Sequence, residues 1–364
     1  MGDRTRGGGT VSGARQGALV VVAPGLSTTV QDRGRVGWQR FGVPVSGALD
    51  ADALAAANIV AGNTAGEAGL ECLYQGCELQ IDAESARVAV AGAGASLDIL
   101  DAGWALSRNV PALESVTLVA GQRARVKMPG PSISAYLAIE GGFALPAVMG
   151  SLSTYVRAAI GGLGGRRLRA RDALPLAMGA ASARGDKRLL DIALAPATTA
   201  RVVLGPQDDH FTAAAIARLT SEAFLVLPES DRMGLRLGGS KLEHIRGADI
   251  VSDGIAPGAI QVPGDGLPIV MLADRQTTGG YTKIATVISA DLPALGRVGP
   301  GAVLRLVVVD VETAEALAQQ RAVEIDSWAG RLVEAGGIAD RFALLYDVNL
   351  ISGVVDGDDT MSLR

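Results

Sequence analysis

AIQVPGDGLPIVMLADRQTTGGYTKIATVIS, residues 259–289, alternates short apolar runs with turns rich in glycine, proline and polar residues. Runs of this length that are rich in valine, isoleucine and threonine and bounded by glycine or proline are typical of β-strands. Similar runs occur in ALVVVAPG (18–25), RVAVAGAG (87–94), SVTLVAGQRARVKMPG (115–130) and AVLRLVVVDV (302–311). The sequence therefore predicts a mainly β protein with a few helices.

Length and composition limit the kind of protein. With 364 residues, 48% of them hydrophobic, the chain can bury two medium-sized cores, which predicts two domains. A formal net charge of -5 provides no basic surface for nucleic acid. No apolar run reaches the roughly 18 residues of a membrane helix. Residues 1–17 lack the apolar segment of a secretion signal, so a cytoplasmic protein is expected.

Breaks in the apolar pattern predict the domain boundaries. Residues 180–199 are polar, charged and contain proline, which is typical of a domain linker. The predicted organisation is a disordered leader (1–17), a first β-domain (18–179), the linker (180–199), a second β-domain (200–312) and a C-terminal helix and tail (313–364).

Three helices are predicted within this mainly β chain. Residues 50–63 begin with Asp50, a favoured N-cap, continue through alanines and end at glycine. A second helix is expected to be capped by Asp208 or Asp209. Over residues 313–335 the less polar positions have helical spacing, which predicts one long amphipathic helix with a face formed by Ala314, Leu317, Ala318, Arg321, Ile325 and Trp328.

Cysteine and histidine are too few for the usual metal sites. Cys72 and Cys77 form a single C-x4-C pair and are predicted to be core thiols. His210 and His244 lie in polar segments and are predicted to have surface or capping roles. No metal is therefore expected on this chain. The run GGLGGRRLRARD (161–172) is consistent either with an anion contact or with a glycine turn and a solvated basic face.

Residues 274–283 contain the richest set of polar side chains. Asp274 can manage a proton, and Lys283 can stabilise charge that develops on an oxygen. A glutamine amide donates and accepts at once, so it matches the N–H/C=O edge of an amide substrate. The candidate catalytic residues are therefore Asp274, Lys283 and Gln276, and the candidate binding residues are Gln261, Thr277, Thr278, Gly279, Gly280 and Tyr281.

These residues predict an amide-binding pocket between the two domains. In it Gln276 and Gln261 contact the amide edge, and a threonine hydroxyl donates to the amide oxygen. Gly279 and Gly280 would allow positive φ or close approach of the backbone to the ligand. The alternative is a hairpin in which Thr-Thr-Gly-Gly forms the turn and the charged residues are solvated.

Longer motifs resemble the allophanate hydrolase subunit 2 family, also called KipA or the 5-oxoprolinase C subunit, which is similar to the carboxyltransferase domain of urea carboxylase. The motifs include PGLSTTVQDRGRVGWQRFGVPVSGALD (24–50), GLECLYQGCELQI (69–81), SDRMGLRLGG (230–239) and residues 252–301, which contain the whole opening stretch. The resemblance implies two cyclophilin-like β-barrels. A weak echo between the Asp-Arg-Gly motifs of the two halves suggests that the barrels are related by duplication about a pseudo-twofold axis.

The resemblance leaves three functions open. One is an ATP-dependent 5-oxoprolinase, in which the chain acts with a subunit 1 type partner and a third lactam-utilisation protein. Another is biotin-dependent carboxyl transfer to urea or a similar amide. The sequence has no Ala-Met-Lys-Met carrier motif, so a partner chain would have to carry the biotin. The third is a regulatory binding protein of the KipA type. The chain is expected to be inactive alone, with ATP bound at the level of the complex.

The first half of the chain contributes a matching polar set. Ser46 and Asp50 are candidate substrate-binding residues, although they can equally be a turn residue and a helix cap. Arg232 is a further candidate, and the alternative is that it pairs with Asp231 and braces the second barrel. The other polar residues of the set are Asp32, Arg35, Asn58, Asn63 and Glu71.

Overall fold

The computed structural model describes residues 17–336, and within this range the chain is mainly β. The α-helices are α1 (Ala51–Ala61), α2 (Ala213–Ser221), α3 (Leu292–Leu295) and α4 (Val311–Ser327). The strands are β1 (Ala18–Ala23), β2 (Ser27–Gln31), β3 (Gly69–Leu73), β4 (Glu78–Asp82), β5 (Ser85–Ala91), β6 (Ser96–Leu100), β7 (Leu106–Pro111), β8 (Ser115–Val119), β9 (Arg123–Lys127), β10 (Ser134–Ile139), β11 (Ala173–Pro175), β12 (Lys187–Leu189), β13 (Thr199–Leu204), β14 (Ala223–Val226), β15 (Gly234–Gly238), β16 (Asp249–Gly254), β17 (Ala259–Val262), β18 (Ile269–Met271), β19 (Thr278–Val287), β20 (Val303–Val308) and β21 (Leu332–Glu334). The predicted leader, apart from Gly17, and the predicted acidic tail lie outside the described residues.

The first half of the chain forms two open β-sheets that share a core. One sheet has the strand order β11-β1-β4-β9-β6-β7 and the other β2-β3-β10-β5-β8. Strand β9, Arg-Ala-Arg-Val-Lys, illustrates how these sheets bury one face. Its two apolar residues point into the shared core and are buried, while its charged residues are more exposed. The predicted closed barrel is not formed by the strand pairs within residues 17–336. Edge strand β7, whose residues are mostly exposed, faces solvent and does not complete a ring.

The second half forms a closed barrel. Within the described residues seven strands pair in the order β13, β20, β14, β15, β18, β17 and β19, and β19 pairs back onto β13. Strand β16 pairs with β19 outside this ring. The barrel core contains Val202, Phe224, Leu235, Ile260 and Ile284. Leu49 and Leu73 of the first half join the same core, so the two halves are packed together.

Helix α1 covers the outer face of the β2-β3-β10-β5-β8 sheet. Asp50 is its N-cap and accepts a hydrogen bond of 3.0 Å from the Ala53 amide, and Gly62 ends the helix at φ 100. The predicted helix and its cap are thus confirmed. Every residue from Asp52 to Ala61 is buried. Strand β10 is buried on both faces, since the core lies on one side and α1 on the other.

Two predicted helices differ in detail. Helix α2 is capped by Thr212, whose hydroxyl accepts from the Ala215 amide at 3.0 Å, whereas Asp208 and Asp209 belong to a preceding 3-10 turn. An aspartate there was the wrong cap because the chain makes a separate turn before the helix starts.

Helix α4 ends at Ser327, earlier than the sequence predicts. All six residues of the predicted face are buried or half-buried, so the face itself is confirmed. Beyond a short 3-10 turn the chain becomes strand β21, which pairs with β12 inside the predicted linker. Trp328, the first residue of that 3-10 turn, is fully buried in the cluster that includes α1.

Arg87 and Glu140 bind residues 182–186 to the β-sheets of the first half through hydrogen bonds and ion pairs. The Arg87 guanidinium, which is 2% exposed, donates to Glu140 at 2.6 Å and to Asp186 at 3.0 Å. Burial alone would raise the pKa of Glu140, but hydrogen bonds from Ser182, together with the Arg87 and Arg184 charges, lower it. The ionised carboxylate is therefore favoured in the folded state.

We expect Glu140→Gln to lower the free energy of unfolding by about 1.5–3 kcal/mol at pH 7, the usual contribution of hydrogen bonds to a buried charge. Because the folded-state pKa lies below the unfolded value, this stability is present above the unfolded pKa, about 4.3, and is lost as pH falls through the folded pKa. Urea unfolding of wild type and Glu140→Gln from pH 7 to pH 3 measures the difference in the free energy of unfolding. Glu229→Gln, at an exposed position, is the control. A difference between wild type and Glu140→Gln that stayed the same in acid would contradict the prediction.

Candidate active site

Arg232 joins the two halves of the protein by a buried ion-pair network. It lies in the turn before β15, and its Nε and Nη2 atoms donate to the Asp274 carboxylate at 2.8 and 3.1 Å. Nη1 donates to Glu71 of strand β3, and Nη2 also donates to the Gly47 carbonyl at 2.6 Å. Asp274 follows β18, and its amide donates to the Arg232 carbonyl at 2.9 Å. One guanidinium thus connects carboxylates from both halves.

The network continues from Glu71 to helix α1. Glu71 accepts hydrogen bonds from the Tyr136 hydroxyl at 2.6 Å and from the Leu49 amide at 2.9 Å. Tyr136 in turn accepts from the Asp50 amide at 2.8 Å. Burial, reinforced by the Glu71 charge, raises the pKa of Tyr136, so its hydroxyl keeps its proton and remains a donor.

A second arginine occupies the other end of this network. Arg297 donates to both oxygens of Asp50, at 2.6 and 2.9 Å, and to Asp52 at 3.2 Å. Arg321 of helix α4 also pairs with Asp52, at 2.5 Å. Burial raises the pKa of Asp50 in spite of the Arg297 charge, which opposes the shift. The network therefore stabilises the contact between the halves only while its charges stay paired.

A cavity of about 250 Å³ lies between the two halves, and we call it the central cavity. Arg232 and Asp274 line it together with two more arginines, Arg157 and Arg167. Its other polar side chains include Ser27, Thr29, Tyr74, Ser230 and Asp231, and the rest of the lining is largely apolar, with residues such as Leu49, Leu73, Ile133, Leu272 and Val298.

The electrostatics of the central cavity favour a small anionic or amide ligand. Burial alone would lower the pKa of Arg232, but Glu71 and Asp274 together raise it, so this guanidinium is permanently charged. Four of its five N–H groups have partners in the described residues, which leaves one on Nη1. Among the described residues, Arg157 forms only an exposed pair with Asp231 at 3.4 Å. The cavity therefore offers cationic donors beside a carboxylate.

The predicted site residues do not all meet at this cavity. Asp274 and Arg232 line it, but Gln276 donates to Gln261 at 3.1 Å, and Lys283 donates to Asp253 at 3.0 Å. Lys283 is 3% exposed, and its hydrogen bond lowers the pKa of Asp253. Neither glutamine nor Lys283 lines the central cavity. We call Gln261, Gln276, Lys283 and Asp253 the glutamine–lysine cluster.

The predicted Thr-Thr-Gly-Gly loop is wrong, because β19 begins at Thr278 and runs through both glycines. Neither Gly279 nor Gly280 has a positive φ. At Gly279 the backbone does approach its neighbours closely, but these are side chains of the protein and not a ligand. A Cβ there would lie 2.6 Å from Ile255 and 2.8 Å from Gln261. Thr277 uses its carbonyl to accept from Gln39 at 3.3 Å, and Tyr281 is exposed.

The first-half residues have separate places. Asp50 is the α1 cap and the partner of Arg297, and Ser46 lines a second cavity described below. The predicted Arg232–Asp231 pair is wrong, because neighbouring side chains in this turn point apart and Arg232 reaches Asp274 and Glu71. The remaining polar residues, Asp32, Arg35, Asn58 and Asn63, hydrogen-bond to nearby loops and carbonyls.

Arg157, Arg167 and Tyr74 line the central cavity but were not named as site residues from the sequence. Arg167 belongs to the glycine- and arginine-rich run 161–172, which gave a signal for an anion contact. Its neighbour Arg166 is engaged by Asp172 at 2.7 and 2.8 Å. Arg157 and Tyr74 gave no signal, because only the packing of distant segments brings them to the cavity.

The cysteines and histidines have structural contacts. Cys72 and Cys77 are buried free thiols with their sulfurs 3.5 Å apart. His244, which was predicted at the surface, is half-buried against Phe211 and contacts Thr282 at 3.0 Å. Within residues 17–336 no three His, Cys, Asp or Glu side chains converge as a metal-binding group. None of the helices in this range is long and apolar enough to cross a bilayer.

Comparisons with known proteins place these features in context. Residues 41–308 match the family model described as carboxyltransferase domain, subdomain A and B. The chain is 34% identical to the C subunit of 5-oxoprolinase from Escherichia coli over 86% of this chain and 98% of that protein. It is 30% identical to urea amidolyase of Saccharomyces cerevisiae over 86% of this chain but only 18% of that protein. The crystal structure of TTHA0988 superposes with a TM-score of 0.71 at 32% identity, covering 81% of this chain and 57% of that chain.

Proposed function

Because this chain belongs to the carboxyltransferase domain A and B family, we propose that it is a subunit of an ATP-dependent 5-oxoprolinase. In this role it opens the lactam 5-oxoproline to glutamate together with a subunit 1 type partner. The match over nearly the full length of the Escherichia coli 5-oxoprolinase C subunit supports this choice, since urea amidolyase is matched over less than a fifth of its length.

The structural observation that carries the proposal is the charge pattern of the central cavity. 5-Oxoproline carries a carboxylate and a planar lactam amide. Arg157 and Arg167 can bind the carboxylate, while Arg232 and Asp274, which also line the cavity, can bind the amide. Asp274 can accept the lactam N–H, and the remaining Nη1 proton of Arg232 can donate to the lactam oxygen.

Polarisation of the lactam oxygen is the chemical role of this arrangement. Resonance makes an amide unreactive, so a fixed positive charge near the oxygen helps only if it stabilises charge that develops there. Glu71 and Asp274 hold the Arg232 guanidinium in place before substrate arrives, which avoids reorganisation during the reaction. Asp274, which pairs with Arg232, can hold or move the amide proton.

ATP and biotin are assigned to other chains. The central cavity, of about 250 Å³, is smaller than the roughly 300–1,000 Å³ common for ligand pockets, which favours a small substrate over ATP. In this proposal ATP is bound at the level of the complex, by the subunit 1 type partner or a third lactam-utilisation protein. The cytoplasm as location and the domains 18–179 and 200–312 belong to the same proposal.

Arg167→Ala should raise the KM for 5-oxoproline roughly 10- to 100-fold, since a hydrogen bond to a charged group contributes about 1.5–3 kcal/mol. Its side chain is exposed, so melting should be unchanged. Oxoproline-dependent ATP hydrolysis in the reconstituted complex measures KM. Arg169→Ala, an exposed arginine of the same run that does not line the cavity, is the matched control.

The Gln276→Leu variant tests whether the substrate binds in the central cavity or at the glutamine–lysine cluster. If 5-oxoproline binds in the central cavity, this variant keeps the wild-type KM. A raised KM for Gln276→Leu, combined with a normal KM for Arg167→Ala, would place the substrate at the cluster and refute the assignment.

Carboxyl transfer is the second candidate function, favoured by the 30% identity to urea amidolyase over most of this chain. Urea has the same planar N–C=O group but no carboxylate. Supplying a carboxybiotin carrier and urea in place of ATP and 5-oxoproline distinguishes the two. Under that function the product is a carboxylated amide, and Arg167→Ala should have little effect on the KM for urea.

A further inference from the structure

A second cavity, of about 220 Å³, lies on the other side of the wall formed by Leu49 and Leu272, which also line the central cavity. Both halves of the chain contribute to it. Most of its lining is apolar, from Val45, Ala48, Met271, Ala273, Leu292 and Pro293. Two polar side chains in it, Ser46 and Arg275, are buried and are not used by the proposed reaction.

The Ser46 hydroxyl lacks a hydrogen-bond partner. Ser46 is 6% exposed, and within the described residues its Oγ atom is buried and contacts no donor or acceptor. Its φ of 54 lies in the left-handed region, which is uncommon for a residue other than glycine. Buried polar atoms are nearly always hydrogen-bonded, so the unpartnered hydroxyl on this cavity wall is available to a ligand group.

Arg275 supplies a buried positive charge to the same cavity. It is 2% exposed, and it donates to the Ile255 carbonyl at 3.0 Å, to the Leu272 carbonyl at 3.4 Å and to the Gln39 side chain at 3.2 Å. None of these partners is charged, and no carboxylate in residues 17–336 forms an ion pair with it. Burial lowers the pKa of Arg275 to about 10, so the guanidinium is still charged at neutral pH. Three of its five N–H groups have partners in the part of the chain that the structure describes, which leaves two free there.

We infer that the second cavity binds a small carboxylate with an apolar body, whose oxygens accept hydrogen bonds from Arg275 and the Ser46 hydroxyl. The anionic group would supply the charge that Arg275 lacks, and the aliphatic lining suits a short hydrocarbon chain. 5-Oxoproline fits this lining poorly, because its amide edge would face apolar side chains.

A ligand in this second cavity would influence the position of Asp274 in the central cavity. Ala273 and Arg275 flank Asp274 in the chain, and Leu49 and Leu272 separate the two cavities. A ligand that fixes Arg275 therefore fixes the backbone on which Asp274 is placed. The inference does not depend on the proposed function, since binding can be measured on this chain without its partners.

Titration calorimetry with butyrate on the full-length chain tests the inference. Butyrate should bind saturably, and its neutral isostere butyramide should bind at least tenfold more weakly. Ser46→Ala should weaken butyrate binding several-fold and Arg275→Gln at least tenfold. Ala48→Leu, which fills the cavity from its wall, should abolish binding. Arg167→Ala, at the central cavity, should leave it unchanged.

The outcomes that overturn the inference are equally specific. They are no saturable binding of butyrate at millimolar concentration, equal binding of butyramide, or butyrate binding that survives Ala48→Leu. Loss of butyrate binding in Arg167→Ala would place the ligand in the central cavity instead. If Arg275→Gln does not fold, Ser46→Ala and Ala48→Leu still decide the result.

Discussion

Arg232→Met should lower the free energy of unfolding by about 3–5 kcal/mol, which is the usual cost of breaking a buried ion pair from one side. The change leaves the carboxylates of Glu71 and Asp274, which are 0% and 6% exposed, without their shared cation. Two buried negative charges then face each other across the contact between the halves. Urea unfolding at pH 7 followed by circular dichroism measures the loss.

Two further variants make this prediction specific. Arg157→Met removes an exposed arginine whose pair with Asp231 is 3.4 Å long, so stability should change by at most about 0.5 kcal/mol. Combining Arg232→Met with Glu71→Gln and Asp274→Asn removes the unpaired charges and should recover part of the loss. Equal stability of Arg232→Met and wild type would mean that the network does not hold the halves together.

Asp50→Ala should also cost about 3–5 kcal/mol, because it breaks the buried pair with Arg297 and removes the cap of α1. The cap alone contributes about 1 kcal/mol, so most of the loss comes from the unpaired guanidinium. Arg297 is 3% exposed, and Asp52 at 3.2 Å compensates it only in part. Thermal and urea unfolding give the value.

Asp50→Asn separates the two contributions, since asparagine keeps a good N-cap but carries no charge. It should lose most of the stability that Asp50→Ala loses. Thr212→Ala, which removes the cap of α2 without breaking an ion pair, should cost only about 1 kcal/mol. If Asp50→Ala lost no more stability than Thr212→Ala, the Asp50–Arg297 pair would be of little energetic importance.

The local parts of the fold were predictable from sequence. Strand content, helix α1 with its Asp50 cap and the apolar face of α4 all follow from spacing within short segments of the chain. Closure of a sheet depends on which distant strands pair, and local patterns carry no information about this. The second half closes because β19 reaches β13, whereas the first half remains two sheets.

In the candidate site, too, the sequence predicted individual residues but not the contacts between distant segments. Asp274 was found because its segment is rich in polar residues, and Arg232 because its motif is matched by the family. Their pairing, and the inclusion of Glu71, required Arg232 to meet residues 42 and 161 positions away in the chain. Gln276 and Lys283 carry suitable chemistry but face other neighbours. Gln276 lies in the loop before β19 and contacts Gln261, and Lys283 lies in β19 and contacts Asp253.

The pairing of β12 with β21 also determines the order in which the chain can be completed. Lys187 and Glu334 are partners across 147 positions, and the whole closed barrel lies between them in sequence. During synthesis the outer side of α1 therefore stays uncovered until Trp328 and β21 have emerged and the barrel has brought them back. Closing so long a loop is entropically unfavourable for an unfolded segment, but a folded barrel shortens the distance that must be closed. Completion of the first half is therefore favoured once the second half has folded.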